Sequence, residues 1–131
     1  MKNPNHAMLL CYNLSPAKAP KLKAACIKAG IRIREIAPEQ FTLPLSHILG
    51  HDEFADAAPT QEPVFHDELV VFYQFTNQQL DRLLADIRKA GGIRLKAVVT
   101  PTNLSWNACA LVRELIAERE AIAKNQQAHQ A

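Results

Sequence analysis

One pattern occurs twice in this 131-residue chain, and any fold it adopts has to accommodate both occurrences. From Leu10, the run Leu-Cys-Tyr-Asn-Leu-Ser-Pro leads through Leu22 and Cys26 to Lys28, Ala29, Gly30, Ile31 and Arg32. From Val71, the run Val-Phe-Tyr-Gln-Phe-Thr-Asn leads through Leu83 and Ile87 to Lys89, Ala90 and Gly91, then Ile93 and Arg94. Tyr12 and Tyr73, Ser15 and Thr76, Leu22 and Leu83, and Gly30 and Gly91 are each 61 apart, and the offset becomes 62 after the extra Gly92. Each copy reads as strand, capped helix, glycine stop, strand.

The first copy opens with an almost wholly apolar run, 7–13, suited to a strand covered on both faces. Ser15 and Pro16 signal a helix start, but Pro20 would disturb a helix already under way, so a loose turn and then a regular helix from about Pro20 are expected. Leu22, Ala25, Cys26 and Ala29 form its buried stripe, and Gly30 ends it. Residues 31–36 alternate with Arg32 and Arg34, the pattern of a partly exposed edge strand. In the second copy, 69–75 is the apolar strand and Thr76 with Gln79 makes a capping box. Leu80, Leu83, Leu84 and Ile87 are the stripe, Gly91 the left-handed stop, and 93–100 the next strand. A long helix is expected over 104–124, with Ala108, Leu111, Val112, Leu115 and Ile122 facing inward. Between the copies, 44–49 suits one or two helical turns ending at Gly50.

The length bounds a single domain, 1–131, with the repeat at about 7–50 and 68–124, a flexible loop over about 51–67 and a frayed polar tail over 125–131. An α/β fold follows: a four-stranded parallel sheet of order 2-1-3-4 with helices on both faces. Two central apolar strands and a connection of some 31 residues before the third strand favour it. The alternative is a ferredoxin-like α+β sheet whose open face is covered by the extra C-terminal helix.

The pieces Tyr12-Asn13-Leu14-Ser15, Pro44-Leu45 with Leu49-Gly50, and Lys96-Ala97-Val98-Val99-Thr100-Pro101-Thr102-Asn103 followed by Trp106 resemble the bacterial family known as domain of unknown function 3783. The resemblance spans nearly the whole chain except 51–67, and its most specific part is the last stretch. It implies a small bacterial cytoplasmic protein and no particular activity. Relatives often carry Gln-Pro before the short helix and a glycine after it, where this chain has Leu43-Pro44 and Ser46.

A parallel sheet would gather Asn13, Ser15, Thr76, Asn77, Thr100, Thr102 and Asn103 along the carboxyl rim of the strands, with Trp106 one turn into the last helix. Two helix N-termini meeting there would favour a phosphate or carboxylate. Ser15, Thr76 and Asn103 are equally the residues that any helix cap uses. No glycine-rich nucleotide motif is present, so no cofactor is expected. His47 and His51 are four apart, but Gly50 lies between them, and no metal site is expected. A net charge of +2, with 15 cations spread along the chain, argues against nucleic acid, and no apolar run is long enough for a membrane span. Cys11, Cys26 and Cys109 fit buried thiols in a reducing cytoplasm. The reading is a non-enzymatic accessory or regulatory module binding a small anion or a protein partner at that rim. A small enzyme using the same rim and a homodimerising structural protein are the alternatives.

Overall fold

The computed structural model describes residues 6–50 and 65–130. The two apolar runs become β1 (Met8–Tyr12) and β3 (Leu69–Tyr73), the central strands of a four-stranded sheet. Helix α1 (Ala19–Ala29) joins β1 to β2 (Arg32–Ile36), and helix α3 (Asn77–Lys89) joins β3 to β4 (Leu95–Val98). A 3-10 turn (Pro38–Gln40) and the short helix α2 (Leu45–Ile48) follow β2, and α4 (Ala108–Gln130) closes the chain. The strand order is β2-β1-β3-β4, as expected, but the sheet is mixed. β1 pairs parallel with β2, and β3 with β4, whereas β1 and β3 run antiparallel, with Leu10 opposite Val71 and Tyr12 opposite Leu69.

This corrects the all-parallel expectation, and the reason is physical. A continuous apolar run reports burial on both faces and carries no information about direction. With β1 and β3 opposed, β2 ends at the same edge of the sheet where β3 begins, so the long connection has no crossover to make. It instead folds back over one face as the 3-10 turn and α2. The two strand-helix-strand units lie side by side in the sheet.

Two crossovers of the same hand in such an arrangement put their helices on the same face. Accordingly α1 and α3 pack together over Leu9, Cys11, Val70 and Phe72 through Leu22, Cys26, Leu83 and Ile87. The opposite face, with Leu10, Tyr12, Ile36, Leu69, Val71 and Leu95, is covered by Phe41, Leu43, Leu45 and Ile48 and by Ala108, Cys109, Leu111 and Val112 of α4. Alternation along β1 and β3 thus sends odd and even positions into separate cores.

The cover of the second face is fastened by backbone. Leu45 N–H donates to the Trp106 carbonyl and Ser46 N–H to that of Leu104, each at 2.9 Å, and Arg34 of β2 donates to the Ile48 carbonyl at 2.7 Å. The last helix starts at Ala108, four residues later than expected, because 101–105 forms turns and Asn107 receives the Ala110 N–H. It also runs on through Gln130. Because it outruns the short strands, Ile122 is 57% exposed rather than inward-facing. No helix among the described residues is long and apolar enough to cross a membrane.

Both units end their first strand on a left-handed residue, Asn13 (φ 56°) and Gln74 (φ 57°), 61 positions apart. Both end their helix near a glycine, Gly30 at φ 71° and Gly91 at φ 117°. Gly91 is required twice over: its φ disfavours other residues, and a Cβ there would stand 3.3 Å from Cε of Lys18.

That lysine is the centre of a polar tie. Its ammonium reaches Glu68 Oε1 at 2.5 Å and the Gly92 carbonyl at 2.6 Å, while Ser15 N–H donates to Glu68 Oε2 at 2.9 Å. The start of α1, the entry to β3 and the turn into β4 are held by one carboxylate–ammonium pair. Glu68→Ala is expected to cost about 1–3 kcal/mol, because a charged acceptor with two donors is lost, measured by urea unfolding. Tyr12→Phe should behave oppositely. The Tyr12 hydroxyl is buried without a hydrogen-bond partner among the described residues, so removing it should leave stability within about 0.5 kcal/mol or raise it. A third expectation concerns pH. Burial pushes the Cys11 and Cys26 thiols up from 9.0 to about 12. The folded state therefore holds protons that the unfolded chain releases, and the stability this gives is complete below pH 9 and lost as pH climbs towards 12. Unfolding free energy should fall there by up to about 1.4 kcal/mol per pH unit for each thiol, and Cys11→Ala/Cys26→Ala should flatten the slope.

Candidate functional site

Antiparallel central strands divide the expected rim between opposite ends of the sheet. Asn13 and Ser15 stand where β1 leaves the sheet, beside the entry to β3. Asn13 Nδ2 donates to the carbonyls of Phe65 and Asp67, and Ser15 Oγ accepts from Ala17 N–H. Both residues are engaged in closing that end.

Thr76, Asn77, Thr100, Thr102 and Asn103 share the other end, where β3 and β4 finish. Thr76 and Gln79 form the reciprocal capping box foreseen for α3. Thr100 and Asn103 repeat that exchange, Thr100 N–H donating to Asn103 Oδ1 and Asn103 N–H to Thr100 Oγ1, and Asn103 Nδ2 also donates to the Val98 carbonyl. These polar groups shape the backbone. Thr102 is exposed, and Asn77 lines a small cleft of about 220 Å³ with Phe72, Tyr73, Phe75, Leu80 and Val98. Trp106 donates its backbone N–H to the Asn103 carbonyl at 2.9 Å, and it lines a shallow depression on the α4 side with Ala110, Arg113, Glu114 and Ala117. His47 sits half-buried on α2, and the His51 expectation lies outside the described residues, as does most of the 51–67 loop. Among the described residues no three His, Cys, Asp or Glu side chains come together to hold a metal.

The concentration of charge is elsewhere, on the layer made by α1 and α3. Helix α1 carries Lys21, Lys23 and Lys28 and no acid, and α3 carries Arg82, Arg88 and Lys89 against Asp81 and Asp86. These two helices hold a net charge of +4, more than the +2 of the whole chain, while the charges on α4 cancel. Between them runs a groove. Its upper part, about 370 Å³, is lined by Lys28, Ala29, Thr76, Gln78, Gln79 and Arg82. Its lower part, about 210 Å³, is lined by Lys21, Ala24, Ala25, Lys28, Arg82 and Asp86. Lys28 and Arg82 wall both parts.

The residue that holds this groove together is Gln79. It is 8% exposed, closes the capping box with Oε1, and donates from Nε2 to the Ala29 carbonyl at 3.1 Å. One amide thereby ties the first turn of α3 to the last turn of α1. The capping box was visible in the sequence, whereas the bond to Ala29 depends on the two helices sharing a face. Among the described residues, Lys21, Lys28 and Arg82 make no ion pair, although Lys23 pairs with Glu35 and Lys18 with Glu68. A groove with three unpaired cations is a surface whose field attracts carboxylates or phosphates.

The family model described as Domain of unknown function (DUF3783) matches residues 68–122, from the threshold of β3 into α4. The stretch from Lys96 to Trp106 lies inside the match, and the similar pieces at 12–15 and 44–50 lie outside it. No curated protein and no solved structure matches the chain. Over its β3–α4 part, residues 68–122, the chain is similar to this family of unknown function.

Proposed function

We propose that the protein is a non-enzymatic binding module, an accessory or regulatory unit of the cytoplasm, that takes an anionic group in the groove between α1 and α3. The observation that carries the reading is the set of unpaired cations Lys21, Lys28 and Arg82 along one groove, on a layer richer in positive charge than the rest of the chain. The amino end of α3 opens into the upper part, where its amide hydrogens add to the attraction. The expectation of an anion at a helix start is thus kept for Thr76 and α3, and moved away from Asn13, Ser15 and the β4 end.

Two further observations support binding over catalysis. Cys11 and Cys26, the nucleophiles closest to the α1 layer, sit in the core with pKa values near 12, so their thiolates are scarce at neutral pH. Thr100 and Asn103 satisfy one another, which removes two of the three residues an enzyme at that end would use. Buried thiols also suit a reducing compartment.

Thermal unfolding at low ionic strength with pyrophosphate or citrate tests the reading. Either anion at a hundred times its dissociation constant is expected to stabilise by about 2.7 kcal/mol. The double variant Lys28→Glu/Arg82→Glu should unfold at nearly the unliganded temperature of the parent, both residues being exposed, and should lose the response. An unchanged midpoint of the parent with every anion tried would refute the site.

A further inference from the structure

The groove is longer than one small anion needs, and its charges are spread along it. Lys21 and Lys28 are seven residues apart on α1, two helical turns or about 10 Å, and Arg82 stands opposite on α3. The floor between them is Ala24 and Ala25, small enough for a backbone to lie close. A compact phosphate held by Lys28 and Arg82 would leave Lys21 and the lower part of the groove unused. An extended chain advances about 3.3 Å per residue, so three or four residues cover the span.

Charge selects the kind of chain. Three cations favour carboxylates, but Asp86 lines the lower groove beside Lys21 and Arg82. A nucleic-acid strand places a negative charge at every step and would set one against Asp86, whereas a peptide can put an uncharged or donor residue there. Gln78 at the upper end and Gln79 in the wall add side-chain amides beside the cations. Resting on the anion-binding reading above, we infer that the α1–α3 groove is a docking site for an extended acidic segment of a partner protein, its carboxylates met by Lys21, Lys28 and Arg82.

Lys21 separates this from binding of a compact anion, because it lines only the lower part of the groove. The experiment is fluorescence anisotropy at low salt with three probes: a labelled octapeptide of alternating glutamate and alanine, the same peptide with lysine in place of glutamate, and a labelled oligothymidylate of equal length. Pyrophosphate serves as an unlabelled competitor. The acidic peptide is expected to bind at least tenfold more tightly than pyrophosphate, and the basic peptide not at all. Lys21→Glu should weaken the acidic peptide about tenfold and pyrophosphate by a much smaller factor, with the circular dichroism spectrum of the parent retained. Pyrophosphate binding that depends on Lys28 and Arg82, with the peptide no tighter and Lys21→Glu without effect, would overturn the peptide site and leave the small-anion reading standing. Oligothymidylate binding above the acidic peptide would overturn it in favour of nucleic acid. Binding of no anionic probe would remove both readings together.

Discussion

The structure depends on one pairing, β1 laid antiparallel against β3. Both strands are apolar on every side chain, so whatever sits beside them has to remove two faces from water at once. Each strand already has a parallel neighbour supplied by its own crossover helix. With the pair opposed, those helices fall on a common face and bury Leu22, Cys26, Leu83 and Ile87 against it. The other face then has to be covered by what remains of the chain. That remainder is the connection after β2, with Phe41, Leu45 and Ile48, and the first turns of α4. Fully burying each leucine or isoleucine of this kind contributes about 1.5–3 kcal/mol, which offsets the ordering of an otherwise irregular connection.

The same pairing distributes charge. Polar groups at the Glu68 end are tied to one another, with Lys18, Ser15 and Gly92 sharing a carboxylate and a carbonyl. The layer of α1 and α3 is different, for Lys21, Lys28 and Arg82 pair with no described acid while its inward side chains are among the best buried in the molecule. A rigid, well-packed helix pair presenting unpaired charge is a surface whose geometry is set before a ligand arrives. Little ordering entropy then opposes association.

Much of the architecture was legible in particular residues. Leu9 to Tyr12 and Leu69 to Phe72 announced central strands, Arg32 and Arg34 an edge, Gly30 and Gly91 the helix ends, and Thr76 with Gln79 a cap. Strand direction was not legible, since side-chain alternation is the same whichever way a strand runs, and the connection before β3 gave a length but no path. The error in direction carried straight into the site. Asn13 and Ser15 were placed beside Thr76 and Asn103 although the sheet separates them. Lys28 and Arg82 are not marked out by sequence, because each is an ordinary surface cation. The signal in the sequence is the run Lys18, Lys21, Lys23, Lys28 without a single acid, which becomes meaningful only once α3 lies alongside.

The match to the family starts at residue 68, so the matched piece contains β3, α3, β4 and the greater part of α4 but not β1. Taken alone, that piece would leave β3 with an unpaired border of amides and carbonyls along Leu69 to Phe72, its side chains still apolar on both sides. Such a border is sticky in water and recruits whatever strand comes near. Here the first half of the chain fills that place with β1 and, through Pro44 beside Asn107, also clasps the start of α4. A fragment of this chain cut back to the matched residues would therefore bare that border.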